Sequence, residues 1–301
     1  MRPALVELLV ACAAGDRRAL ARLISLVEDE SEAAPAIEDW ALARSGGAFR
    51  IGVTGPPGAG KSSLLDGLLR AYRARGLRLA ALAVDPSSAF TGGALLGDRI
   101  RMHEAARDPE IFIRSLGSRG SLGGLARQTE AVADLLDAAG AERILIETLG
   151  VGQSELDIAL NCFTTVVLLT PESGDGIQTM KAGLMEIGDL FVINKADREG
   201  AAALAMELEA SLMRRGALDG WRPPVLQCVA TADRGVAELV DAIEAHRDFL
   251  AREGRLELRR REQLGRRLRA AVEARMSAAL WTAERERELE MGVALVMEGR
   301  I

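Results

Sequence analysis

The amino-acid sequence predicts an α/β protein: a mostly parallel sheet covered by helices on both faces, with helical extensions at both ends. Three observations carry this. From Phe49 onward, short apolar runs alternate with segments of helical period, the pattern of parallel strands buried on two sides. The first of these runs leads into a glycine-rich loop that opens a helix. Before Ser45 and after Arg247, strand-like runs give way to helical spacing alone.

In chain order, the stretch to about Ala43 reads as two amphipathic helices, and Ser45–Phe49, "SGGAF", as a joint. Seven strands are then expected in "FRIGVTG", "LRLAALAVDP", "IFIRSLG", "RILIET", "TTVVLLT", "DLFVINK" and "PVLQCVAT". Helical patterns such as "SSLLDGLLRAYRARG" and "GGLARQTEAVADLLDAAG" separate most of them. The last segment, from "REGRLELRRREQLG" on, is a long charged helix pattern. The predicted organisation is a helical extension over residues 1–45, a nucleotide-binding domain over 46–247 and a helical arm over 248–301. Ligands of such sheets bind at the carboxyl ends of the strands.

Composition narrows the functions. The 301 residues are 49% apolar and 27% charged, with a net charge of −6 and 3% aromatics. Neither a global basic field nor stacking platforms favour nucleic acid. Cys12, Cys162 and Cys228 are isolated, and His103 and His246 are the only histidines. That argues against zinc and for a reducing, cytoplasmic setting. No apolar run approaches the length of a membrane span, and Glu7 interrupts "LVELLVAC", which reads as a helix rather than a leader.

"GPPGAGKSS" follows the first strand and fits G-x-x-x-x-G-K-S. Its glycines let backbone N–H groups close around phosphate oxygens, beside the positive end of a helix. Gly55, Gly58, Ala59, Gly60, Lys61, Ser62 and Ser63 are therefore the expected phosphate contacts. Lys61 would bridge the β- and γ-phosphates, and the Ser62 hydroxyl would ligate Mg²⁺. "NKAD" follows a later strand, where Asp197 can accept the N1–H and N2–H₂ donors of guanine, a pair adenine lacks. Asn194 can reach the acceptor edge of the base and the stem of Lys195 can lie along its ring. In "CVATAD" a backbone N–H from Val229, Ala230 or Thr231 would meet the guanine oxygen. The predicted ligands are GTP and GDP.

Glu147 ends the apolar run "RILIET", three residues before Gly150. A carboxylate there, beside the phosphate loop, would hold Mg²⁺ through a water or orient the attacking water. Asp85 and Asp98 flank the glycine-rich "FTGGALLGD" and either contact the water shell of the metal or cap local turns. Only three lysines, Lys61, Lys181 and Lys195, stand among 38 basic residues. Such sparing use marks positions where a compact ammonium is needed, and Lys181 joins the candidates on that ground.

At these residues the chain resembles the MeaB/ArgK family, GTPase chaperones of cobalamin-dependent acyl-CoA mutases, within the P-loop GTPases whose third motif is E-x-x-G. "AVDPSSAFTGGALLGDRIRM", "ETLGVGQSE" and "DGIQTMKAGLMEIGDLFVINKAD" are similar to family segments. The resemblance implies a homodimeric, slow GTPase with Lys61 and Glu147 in its catalytic machinery. Such a protein binds a mutase, typically methylmalonyl-CoA mutase, gates adenosylcobalamin loading and protects the enzyme. It also implies a first switch containing Asp85, Asp98 and Arg101, a second containing Glu147, Gly150 and Gln153, and a third around Lys181. Where many members carry a second lysine after this one, the chain has Ala182. The C-terminal helices, with Leu256, Leu264, Leu268 and Val272 needing burial, would supply the dimer surface. A small-molecule kinase of the arginine/ornithine transport type, a nickel-inserting metallochaperone GTPase and a non-hydrolysing binding module remain as alternatives.

Overall fold

A computed structural model describes residues 3–85, 105–117, 122–148, 161–172, 183–217 and 220–300. All seven expected strands form: β1 Phe49–Thr54, β2 Leu79–Asp85, β3 Ile111–Gly117, β4 Arg143–Thr148, β5 Thr164–Leu169, β6 Leu190–Ile193 and β7 Val225–Gln227. They make one sheet in the order β3-β2-β4-β1-β5-β6-β7, and every pairing is parallel. The residues of β1, β4, β5 and β6 are buried throughout, which is why these strands read as unbroken apolar runs. The chain leaves β1 toward β2 on one side, whereas β4 crosses to β5 on the other, so the reversal point lies at the carboxyl end of β1.

Ten helices occur among the described residues: α1 Pro3–Ala13, α2 Arg17–Glu28, α3 Ala34–Leu42, α4 Lys61–Ala74, α5 Leu122–Ala138, α6 Leu184–Ile187, α7 Ala201–Arg215, α8 Val236–Ala251, α9 Arg255–Leu280 and α10 Ala283–Met297. The amino-terminal segment holds three helices where the sequence reading expected two. Asp16 caps α2, accepting from the backbone N–H groups of Arg18 and Ala19 at 2.7 and 3.1 Å. A turn at Ser31–Ala33 then separates α2 from α3, which carries a proline in its first turn.

These three helices share one core with the sheet. Leu9, Leu23, Ile24 and Ile37 pack in the same cluster as Leu82 of β2, Ile146 of β4 and Leu135 of α5. Strand alternation turns the next residues, Leu145 and Glu147, to the opposite face. A polar staple fixes the entry to β1: Asp137 accepts from the N–H groups of Gly46, Gly47 and Ala48 at 2.7, 3.2 and 3.0 Å. Beside it, Arg50 and Asp134 form a buried ion pair at 2.6 Å.

The chain divides into two compact units, Met1–Glu253 and Gly254–Ile301. The expected joint at residue 247 falls inside α8, which continues to bury apolar side chains through Leu250. In the second unit, α9 and α10 meet at a turn where the Thr282 hydroxyl accepts from the Arg285 N–H at 3.4 Å. Both helices carry exposed apolar side chains, among them Leu264, Leu268, Val272, Val293 and Val296.

Candidate functional site

β1 delivers the chain to Gly55, whose φ is 143°. A Cβ there would lie 2.1 Å from the carbonyl oxygen of Leu168 in β5, so the close approach excludes every other residue. The loop turns again at Gly58 (φ 76°) and at Gly60 (φ 90°), and Gly60 caps α4. Lys61, buried in the first turn, donates from Nζ to the carbonyl oxygens of Gly55 and Pro56 at 2.8 and 3.0 Å. The loop thus holds the ammonium against its own backbone. Ser63 follows, half-buried.

Glu147 stands where β4 ends, in register with Val53 of β1 and Ala83 of β2. Its Oε1 accepts the Ser62 hydroxyl at 2.7 Å, and both residues are buried. One residue on, the hydroxyls of Thr148 and Thr54 meet at 3.1 Å. The Ser62–Glu147 donor set is all oxygen, a hydroxyl beside a carboxylate, and this fits a hard cation such as Mg²⁺.

Across the crevice, Asn194 joins two loops. Its Nδ2 donates to the carbonyl of Ala59 at 2.8 Å, and its Oδ1 accepts from the N–H of Ala230 at 3.0 Å. A Cβ on Gly60 would lie 2.4 Å from the same Nδ2. Lys195 adopts the left-handed region (φ 57°) and donates to Glu172 at 3.0 Å, and Asp197 is exposed. Val229, Ala230 and Thr231 follow β7; a bridge from Val229 to Arg234 closes this loop, and residues 230–232 form a single 3₁₀ turn. Gly235 is required there, since a Cβ would come within 2.3 Å of the Gln227 carbonyl.

The structure therefore brings the glycine-rich loop, Ser62, Glu147, Asn194–Asp197 and Val229–Thr231 to the carboxyl ends of β1, β4, β6 and β7. Asp85 closes β2, opposite Gly117 in register. Asp98, Arg101, Gly150, Gln153 and Lys181 lie outside the described residues. Sequence reasoning missed Arg70 and Asp233, which pair between α4 and the loop after β7 at 2.6 Å in both contacts. No local pattern announces a pair 163 residues apart.

The sequence profile described as "Methylmalonyl Co-A mutase-associated GTPase MeaB" matches residues 20–285. A Pyrococcus abyssi protein carrying a provisional GTPase name is 51% identical over 272 residues, covering 88% of this chain and 83% of its own. GTPase ArgK of Escherichia coli is 39% identical over 280 residues, covering 90% and 84%. A crystal structure of the LAO/AO transport system kinase superposes with a TM-score of 0.77 at 30% identity, over 100% of this chain and 94% of that one.

Proposed function

The chain belongs to the MeaB family of P-loop GTPases and hydrolyses GTP, and from that premise we propose that it is a chaperone of a cobalamin-dependent acyl-CoA mutase. Methylmalonyl-CoA mutase is the partner that the family description suggests. The protein gates adenosylcobalamin loading and protects the mutase, acting as a cytoplasmic homodimer joined through α9 and α10. A Caenorhabditis elegans relative named methylmalonic aciduria type A homolog, 35% identical over 281 residues and covering 87% of this chain and 70% of its own, supports this direction.

The observation that carries the reading is the Ser62–Glu147 contact at 2.7 Å beside the glycine-rich loop. In this reading, the amides of Gly58–Ser63 and the Lys61 ammonium hold the phosphates. Ser62 and Glu147 are the residues that would hold Mg²⁺, and the ion would neutralise charge on the phosphates. Glu147 orients the attacking water, and the protein's contribution is positioning and electrostatics. Asp197 receives the guanine N1–H and N2–H₂ groups, the second Nδ2 hydrogen of Asn194 reaches the acceptor edge, and the loop at Val229–Thr231 meets the 6-oxygen. Asp85, Asp98 and Arg101, then Gly150 and Gln153, and then Lys181 form three switches that sense the γ-phosphate and report it to the mutase.

The test is GTP turnover measured with and without each candidate acyl-CoA mutase. Stimulation by one mutase is expected, and no stimulation by any would sink the chaperone role. The solved relative named as a transport kinase motivates a second reading. Labelled ATP offered with arginine or ornithine separates the two, since a kinase would transfer phosphate to the amino acid.

A further inference from the structure

The loop after β7 is held from behind by a charged clamp. Arg70, on α4, donates from Nη1 and Nη2 to the two carboxylate oxygens of Asp233, each at 2.6 Å. The third donor position, Nε, reaches Asp66 one turn earlier at 3.1 Å. Asp66 in turn accepts the N–H of Ala105 at 3.3 Å, so the fork is gripped on both sides.

Asp233 sits in the left-handed region at φ 53°, a conformation that aspartate and asparagine adopt more readily than other non-glycine residues. Gly67 makes room for it: a Cβ there would lie 3.3 Å from Asp233 Oδ1 and 3.4 Å from Val236. Asp233 closes the same 3₁₀ turn whose first residue, Ala230, donates to Asn194. The ion pair also holds the Asp233 carboxyl below its ordinary range.

We propose that Arg70 and Asp233 are positioning residues for guanine-nucleotide retention: their bidentate pair fixes the Ala230–Ala232 turn, and its loss speeds nucleotide release. This rests on the reading of Val229–Thr231 as the loop that meets the guanine 6-oxygen. The geometry has a mechanical logic. Arg70 lies nine residues beyond Lys61 on one helix, about 13 Å along its axis. A single rigid element therefore carries the phosphate loop at its start and the clamp on the base loop farther along. About two and a half turns of helix set the distance between the two ends of the nucleotide site.

The experiment is release of fluorescent GDP and IDP from the full chain by stopped flow, with thermal unfolding of the nucleotide-free protein alongside. The variants are Arg70→Ala, Arg70→Lys, Asp233→Asn and Asp197→Ala. Asparagine tolerates the left-handed region, so Asp233→Asn removes the ionic pair without forcing the turn. Because both partners are partly exposed, Arg70→Ala and Asp233→Asn should release GDP about threefold to tenfold faster. Lysine keeps the charge but not the fork, and Arg70→Lys should fall between. IDP keeps the 6-oxygen and lacks the 2-amino group, so the ratio of GDP to IDP release stays at the wild-type value in these variants and collapses in Asp197→Ala. Wild-type release rates in Arg70→Ala and Asp233→Asn would overturn the proposal, as would a lower melting temperature with no change in release. A GDP preference that survives Asp197→Ala would instead remove the reading of the base site on which the proposal stands.

Discussion

The Ser62 hydroxyl donates to Glu147 Oε1 at 2.7 Å, joining the residue that follows the phosphate-loop lysine to the penultimate residue of β4. Strand alternation explains the meeting: Ile144 and Ile146 face the core shared with α5 and the amino-terminal helices, and Glu147 therefore faces α4. Glu147→Gln keeps the volume and an acceptor but removes the charge. We expect GTP affinity to stay close to that of the parent protein and hydrolysis within the bound state to fall on the order of a hundredfold. Single-turnover kinetics at saturating enzyme separates the two effects. Ser62→Ala should instead weaken the Mg²⁺ dependence of GTP binding, read by a magnesium titration.

Gly60 and Gly58 make a matched pair. Both have positive φ, yet a Cβ at Gly60 meets Asn194 at 2.4 Å while one at Gly58 has nothing within 4 Å. Gly58→Ala meets no protein atom and should cost the backbone preference, roughly 1–2 kcal/mol of stability. Gly60→Ala should also displace Asn194 and lower GDP affinity about tenfold or more. Calorimetry with GDP distinguishes them, and equal affinity in the two variants would contradict the Asn194 contact.

Asp137 receives three backbone N–H groups from the chain entering β1. Asp137→Ala leaves all three without that acceptor, and the expected loss is about 2–4 kcal/mol in urea unfolding. GDP affinity of the remaining folded protein should stay as it was, because the staple lies at the opposite end of β1 from the phosphate loop.

Burial pushes the Cys12 thiol up to about 11 and the Cys162 and Cys228 thiols up to about 12, from an ordinary value of 9.0. A raised thiol pKa means that the folded state disfavours the anion. The contribution to stability is whole below the unfolded value and is lost as pH rises through the folded values. A thiol reagent at pH 8 should therefore count no cysteines in the folded protein and three after denaturation.

A chain ending at Glu253 removes the second unit, with its exposed Leu264, Leu268, Val272, Val293 and Val296. If α9 and α10 form the dimer surface, light scattering should find this chain monomeric and still able to bind GDP. A persisting dimer would place the interface elsewhere.

The sheet was legible because parallel strands buried on both faces write continuous apolar runs, and "RILIET" or "TTVVLL" admits little else. The phosphate loop and Glu147 were legible for a different reason, since their spacing is set by local backbone geometry. What escaped was non-local or short. The third amino-terminal helix, Ala34–Leu42, is only nine residues long and follows the α2 pattern after a brief turn. The double engagement of Asn194 depends on Ala59 and Ala230, which only the assembled sheet brings to it. The Arg70–Asp233 clamp depends likewise on α4 lying against the final loop.

The shared core of α1–α3 with β2, β4 and α5 bears on how this protein can be handled. Shortening the chain to begin at β1 would uncover the side of α5 on which α2 and α3 pack and turn apolar side chains of that shared core toward water. Trimming for crystals or labelling that spares this core falls in the second unit, Gly254–Ile301.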